Sequence, residues 1–245
     1  MDAIFTFHSI DTSGSVISYA PDDLHRFVTC LAEEGVRIAS LTELLQPNPD
    51  GRDRAALTFD DGFASVHRNA LPILASSGTP ATVFVVAEWV GKDSNWPSRP
   101  RGAPRFDLMS WTALRELGSA SFEIGCHTAN HTPLANLSEE EWDRELRVSR
   151  CRLEEELQTH VRHFAYPYGV HSRSAVHRVR AIYDSAATTR LGFLAPSMDF
   201  YRLPRIETYY LRSPERHRPL YGRRTRRYLK LRGAIRWLRA RVSGS

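Results

Sequence analysis

The sequence predicts an α/β fold, a (β/α) barrel over residues 1–211 followed by a basic amphipathic helical tail at 212–245. Three observations predict it. Short β-rich runs alternate with helical patterns, the length of 245 residues with 42% hydrophobic content suits one well-buried core, and charge divides sharply between body and tail. The runs IFTFH (4–8), AALTF (55–59), ATVFVVA (81–87), FEIGCH (122–127), RHFAYP (162–167) and AIYDSAAT (181–188) read as strands. Several are apolar at consecutive positions, as in a strand covered on both faces. Between them, residues 21–35 carry Pro and acids in a first helical turn and end on Gly35, and residues 137–157 open with Ser138 as N-cap and Glu141 at the capping-box position. Strands alternating with helices imply a parallel sheet with outer helices, closed into a barrel whose chemistry sits at the C-terminal strand ends.

The net charge of +5 is the sum of opposite parts. Residues 212–245 hold twelve Arg/Lys and one acid, Glu215, for +11, which leaves −6 on residues 1–211. Tyr228, Leu231, Ile235, Leu238 and Val242 recur at spacings of three and four among the arginines, the pattern of an amphipathic basic helix. Two readings of residues 223–242 stand side by side: peripheral contact with an anionic membrane, or packing on the barrel with a solvated outer face. The acidic body and the absence of a nucleic-acid motif argue against nucleic acid. Cys30, Cys126 and Cys151 are odd in number and irregular in spacing, so reduced thiols are expected rather than a disulfide framework. The start MDAIFTFHSI lacks the pattern of a signal peptide, and no apolar run reaches the ~18 residues of a membrane span. The expected location is cytoplasmic, or peripheral on the cytoplasmic membrane face.

The strand ends carry the candidate chemistry. TFDDG (58–62) places two adjacent carboxylates, Asp60 and Asp61, before a glycine that permits a sharp turn. Such a pair is costly unless neutralised, and a bound cation does so while leaving one carboxylate as a base; an ordinary Asp-Asp-Gly turn has the same composition. FEIGCH ends in His127, with His131 four residues later, a spacing that on a helical turn aims both imidazoles to one side. Ten histidines in 245 residues give roughly 0.4 such pairs by chance, so the strand-end context carries the weight. FAYPYG (164–169) is a Pro-aromatic-Gly turn, and His8 ends the first strand. Four strand ends, each with part of a hydrolytic metal site, exceed what turn composition gives.

In order and spacing these segments resemble the polysaccharide deacetylases with a NodB-homology domain, carbohydrate esterase family 4, over about residues 1–210. TFDDG resembles the first family motif, HTANH (127–131) the second and AYPYG (165–169) the third. The resemblance implies a distorted (β/α) barrel and a divalent metal, zinc foremost with cobalt or nickel as alternatives, on Asp61, His127 and His131. It makes Asp60 the catalytic base and gives the Tyr168 backbone N–H the oxyanion. Two departures stand out: Ala165 occupies the position of the third-motif Arg, and no Leu-x-His near the barrel's end supplies the usual acid. His8 fills that gap, as in the branch acting on poly-N-acetylglucosamine, where a first strand ending in Tyr/Phe-His carries the acid.

The chemistry expected is removal of an N-acetyl group from a sugar in a polysaccharide, oligosaccharide or lipid-linked glycan. Pro167, Tyr168, Arg205 and Trp89 are the candidate substrate contacts. Arg205 and Asp199 lie in the region of the fourth motif, and Trp89, Trp96 and Trp111 flank the Pro/Gly/Arg-rich segment 91–107, either as a wall for pyranose rings or as packing beneath a loop. Hydrolysis of a small non-glycan amide and a silent glycan-binding homologue are the alternatives.

Overall fold

The computed structural model describes residues 1–135, 137–213 and 217–243, with side chains as far as Arg236 in the last helix. Seven parallel strands close into a barrel: β1 (Asp2–Phe7), β2 (Arg54–Phe59), β3 (Ala81–Val85), β4 (Phe122–Cys126), β5 (His163–Ala165), β6 (Ser185–Leu191) and β7 (Leu203–Glu207). β1 closes the ring by pairing with β7 on one side and with β2, from Asp2↔Arg54 to Phe7↔Phe59, on the other. The consecutive apolar residues are explained by two cores. Ile4, Ala56, Phe84, Ala165, Ala187 and Leu203 pack inside the barrel, while Phe5, Phe7, Leu57, Phe59, Val83 and Val85 pack outward under the helices. Small residues at several inward positions leave room for Phe84: a Cβ added at Gly125 would lie 2.5 Å from its ring.

The outer helices include α1 (Pro21–Glu33), α2 (Leu71–Ala75), α3 (Trp111–Ser119) and α4, which runs from Glu139–Asp143 through a π-helical stretch, Arg144–Val148, to Ser149–Leu157. The expected capping box opens α4, with Ser138 accepting from the Glu141 N–H at 3.3 Å and Glu141 accepting from the Ser138 N–H at 2.8 Å. Two strands differ from expectation. Ala181, Ile182 and Tyr183 donate their N–H groups back to Arg178 and Val179, continuing α5 (Arg173–Arg180) into a turn, so β6 starts at Ser185 and not at 181. β7 escaped notice because Pro204, Arg205 and Glu207 break its apolar pattern, yet Arg205 is fully buried inside the barrel.

The tail forms α6 (Arg223–Ser243). Its apolar stripe is not the one expected. Thr225 and Leu229 are buried against the barrel and Gly233 lies against Leu191, whereas Leu231 is 61% exposed and Tyr228 and Ile235 are half-buried. The Leu238 and Val242 side chains lie outside the described residues. Ahead of the helix, Leu220 and Tyr221 enter the outer core, and the Tyr221 hydroxyl donates to the Arg54 carbonyl at 2.6 Å. No helix among the described residues is long and apolar enough to cross a membrane.

Gly125→Ala drives a methyl into Phe84, so a loss of about 1–3 kcal/mol in urea unfolding is expected. Phe84→Leu in the same chain should recover part of that loss.

Candidate active site

The C-terminal ends of β1, β2, β4 and β5 converge at the mouth of the barrel. β2 ends at Phe59, so Asp60 follows directly, with its N–H donating to the Phe7 carbonyl at 3.0 Å. Asp61 then takes φ +73° and Gly62 φ +75°, a reversal that turns the two carboxylates to different partners. Asp60 accepts two parallel hydrogen bonds from the Arg205 guanidinium, both 2.7 Å, with both side chains almost fully buried. Burial alone would raise the Asp60 carboxyl, but Arg205, then His127, reverses this and holds it far below the usual carboxylate range. The guanidinium is in turn fixed by the Thr188 carbonyl at 3.0 Å and by Thr58 Oγ1 at 3.4 Å.

Asp61 turns instead to the imidazoles. Its Oδ1 lies 3.1 Å from His131 Nε2 and 3.5 Å from His127 Nε2. His127 Nδ1 is 2.7 Å from the Ala165 carbonyl; donating there leaves the Nε2 lone pair facing Asp61. Burial, then the neighbouring His131, pushes His127 down to about 4, so its ring is neutral near pH 7. Burial raises the Asp61 carboxyl, and the His131 hydrogen bond and charge, with His8 and His127, together more than offset this, so it too sits below its ordinary value. The donor atoms of Asp61, His127 and His131 all lie within 4.8 Å of one another. Two imidazoles and one carboxylate, all buried, suit a borderline divalent ion such as zinc, cobalt or nickel.

The two histidines do not meet through a helical turn. HTANH is an irregular loop in which Thr128 and His131 have φ +69° and +56°. Glu145, on the π-helical part of α4, holds it by accepting from the Ala129 and Asn130 N–H groups at 2.9 and 3.0 Å, Asn130 Nδ2 at 3.0 Å and Thr132 Oγ1 at 3.1 Å. This buried carboxylate was not anticipated. Its sequence signal is an acid on the core-facing stripe Trp142, Glu145/Leu146, Ser149, Leu153. Of the six non-glycine residues with positive φ among those described, Asp61, Thr128, His131 and Tyr168 belong to this mouth.

The remaining candidates divide. His8, Tyr168, Asp60, Asp61, His127 and His131 line one cavity of about 350 Å³, together with Trp96 and Thr189. Tyr168 sits on a turn with φ +57°, and its hydroxyl donates to the Ser98 carbonyl at 2.7 Å. Gly169, φ +72°, has no space for a Cβ, which would fall 2.1 Å from Thr189 Oγ1. Trp96, not Trp89, walls the cavity; it stacks on His131 with centroids 4.5 Å apart, and Trp89 packs edge-on behind it with its N–H on Asn130 Oδ1 at 3.3 Å. Pro167 is buried beneath the turn, Asp199 pairs with Arg180 at 3.1 Å away from this cavity, and Arg205 acts beneath Asp60 instead of lining the cavity. Ala165 faces the barrel interior, and Arg205 enters that interior from β7.

A parallel barrel whose mouth carries a His, His, Asp cluster that could hold a metal ion, and a second, separately paired aspartate, has the form of a hydrolase. Residues 48–183 match the sequence profile of the family described as Polysaccharide deacetylase, and the chain belongs to that family. The poly-β-1,6-N-acetyl-D-glucosamine N-deacetylase of Staphylococcus epidermidis is 23% identical over 152 residues, 61% of this chain; the chain spans about half the length of that protein, with 53% covered. Among solved structures, IcaB from Ammonifex degensii superposes with TM-score 0.73 at 22% identity, covering 85% of this chain and 93% of that one. The Streptococcus pyogenes deacetylase PplD, solved with acetate, gives TM-score 0.72 at 21% identity, covering 84% and 91%.

In chelator-treated protein, His127 ties stability to pH. Its folded value is lowered from 6.5 to about 4, so its contribution is complete above 6.5 and falls away as pH drops towards about 4. Urea unfolding across that window should show a loss of up to about 3 kcal/mol. His127→Gln should flatten the slope.

Proposed function

We propose that this chain is a metal-dependent N-deacetylase of an acetylated glycan. The observation that carries the reading is the division of labour between adjacent carboxylates: Asp61 faces two imidazoles, while Asp60 is held ionised by Arg205. Family membership and the name of the Staphylococcus epidermidis relative support the acetylated-sugar substrate.

Asp61, His127 and His131 are the residues that would hold the metal. A divalent ion there supplies a lowered water pKa and stabilisation of negative charge on the acetamide oxygen. Asp60, kept anionic by Arg205, accepts the proton of the attacking water. The Tyr168 backbone N–H adds a donor for the oxyanion, and His8 gives a proton to the sugar nitrogen as the C–N bond breaks. Arg205 is a positioning residue that orients Asp60. Tyr168, above Pro167, and Trp96, backed by Trp89, offer aromatic surface to a pyranose ring. Residues 1–211 are the catalytic part in this reading. Residues 212–245 are an accessory part whose stretch 223–242 contacts an anionic membrane, which suits a lipid-linked glycan substrate.

Acetate release from N-acetylglucosamine oligomers, followed with and without chelator, is the direct test; activity that added zinc, cobalt or nickel does not restore would remove the metal from the mechanism. Faster release from small amides than from the oligomers would replace the glycan reading. Asp60→Asn is expected to keep its metal and lose about 10²-fold or more in kcat, whereas Asp61→Asn and His131→Ala should lose the metal in elemental analysis. Near-normal turnover in His8→Ala would remove it as the acid. Arg205→Lys, which cannot make both bonds to Asp60, should move the acidic limb of the kcat profile to higher pH.

A further inference from the structure

Outside the catalytic mouth, unpaired cations gather between α6 and the segment that follows β6. Arg190, Arg223, Arg226, Arg227 and Lys230 line one groove of about 650 Å³, and no acidic side chain lines it. None of the five forms an ion pair with an acid among the described residues, although ion pairs are common elsewhere on this surface. Arg226 Nε is buried without a hydrogen-bond partner, and its Nη1 reaches only the Met1 sulfur at 3.5 Å. Holding five cations together costs self-repulsion that an anionic occupant would relieve.

The floor of the groove is apolar, formed by Phe193, Pro204 and Leu229, and Leu231 stands 61% exposed beside Lys230 on the same helix. A cationic rim over an apolar floor complements an amphiphilic anion better than a simple one. We infer that this groove is a binding site for the phosphate headgroup of an anionic lipid at a bilayer surface. The inference rests on the membrane contact read for residues 223–242 and locates it. β6 links the groove to the mouth: Thr189 lines the catalytic cavity and the next residue, Arg190, lines the groove. α6 starts beside Met1 at the base of β1 and reaches Leu191, the last residue of β6, at Gly233. Four of the five cations lie on the first two turns of α6, beside Met1 at the base of β1, so a headgroup in the groove sets the flank of the barrel against the bilayer.

The test is co-sedimentation of the full chain with vesicles of phosphatidylcholine alone or mixed with phosphatidylglycerol, without any sugar substrate. Binding only to the mixed vesicles is expected. Arg226→Gln, Arg227→Gln and Lys230→Gln should each lower the partition coefficient about fivefold, and the triple variant about a hundredfold. Arg144→Gln, a charge removed from α4, should change it little, and an unchanged urea-unfolding midpoint in each variant reports a folded barrel. Mixed-vesicle binding that survives the triple variant would overturn the groove while leaving the wider helix contact. Equal binding to neutral vesicles, or no binding at all, would overturn both. Tight inorganic phosphate binding with no preference for mixed vesicles would mean a soluble anion site, and tighter binding of duplex DNA at equal salt would replace the lipid; either result overturns the inference.

Discussion

The mouth of this barrel depends on neutralising two adjacent carboxylates where water is largely excluded. Asp60 and Asp61 are 4% and 7% exposed, so leaving either charge unpaired would cost several kcal/mol. Asp60 is satisfied by a guanidinium from the far end of the chain, and Asp61 by His131 of the HTANH loop, whose Nε2 lies 3.1 Å away. The opposite orientations follow from the backbone: Asp61 leaves the extended course of β2 at φ +73°, and Gly62 continues the reversal. One side chain consequently sinks towards β7 and the other turns towards β4. The Asp60–Arg205 pair is buried and bidentate, and removing one partner of such a pair typically costs about 3–5 kcal/mol. That cost is set by the charge left behind, so the pair serves orientation more than net stability.

The same constraint explains the supporting residues. A loop that presents two imidazoles to one carboxylate has to hold Thr128 and His131 in left-handed conformations that β-branched and bulky residues resist. Glu145 offsets this with four accepted hydrogen bonds, and the π-helical stretch of α4 is where that carboxylate enters the core. Glu145 therefore shapes the site without touching its cavity. Trp96 completes the enclosure by stacking on His131, tying the position of segment 91–107 to that of a candidate ligand. Ser98 reinforces the link through its hydroxyl on the His131 carbonyl at 2.6 Å.

What was legible in the sequence was what is local. Six of the seven barrel strands show as apolar runs because both faces are buried, and Asp61 and His127 show because barrel chemistry sits one or two residues beyond such runs, with His131 found by its spacing from His127. What was hidden depends on contacts distant in the chain. Arg205 reaches Asp60 across 145 residues, from a strand whose charged and proline positions mask its burial, so the sequence offered only its general region. The helical-turn geometry expected for His127 and His131 failed because spacing does not report the sign of φ at Thr128. In α6 the periodicity is real, but several stripes satisfy it; Leu229 and not Leu231 faces the barrel, on the same side as Thr225 and as Gly233, which lies against Leu191.

A small residue at Ala165 on β5 and a long cation at Arg205 on β7 fit together in the interior of a closed parallel barrel. The interior is small, and Phe84, accommodated by Gly125, already fills much of it. The Arg205 guanidinium lies 5.6 Å from the centre of the Phe84 ring, so the arginine rests on an aromatic platform while its edge meets Asp60. A second long cation from position 165 would compete for the same volume and the same carboxylate. The Ala165 carbonyl on β5 accepts from His127 Nδ1 at 2.7 Å, which orients one imidazole. With the cation on β7, two tasks are separate: β5 holds a candidate metal ligand through its backbone, and β7 holds the candidate base through its side chain.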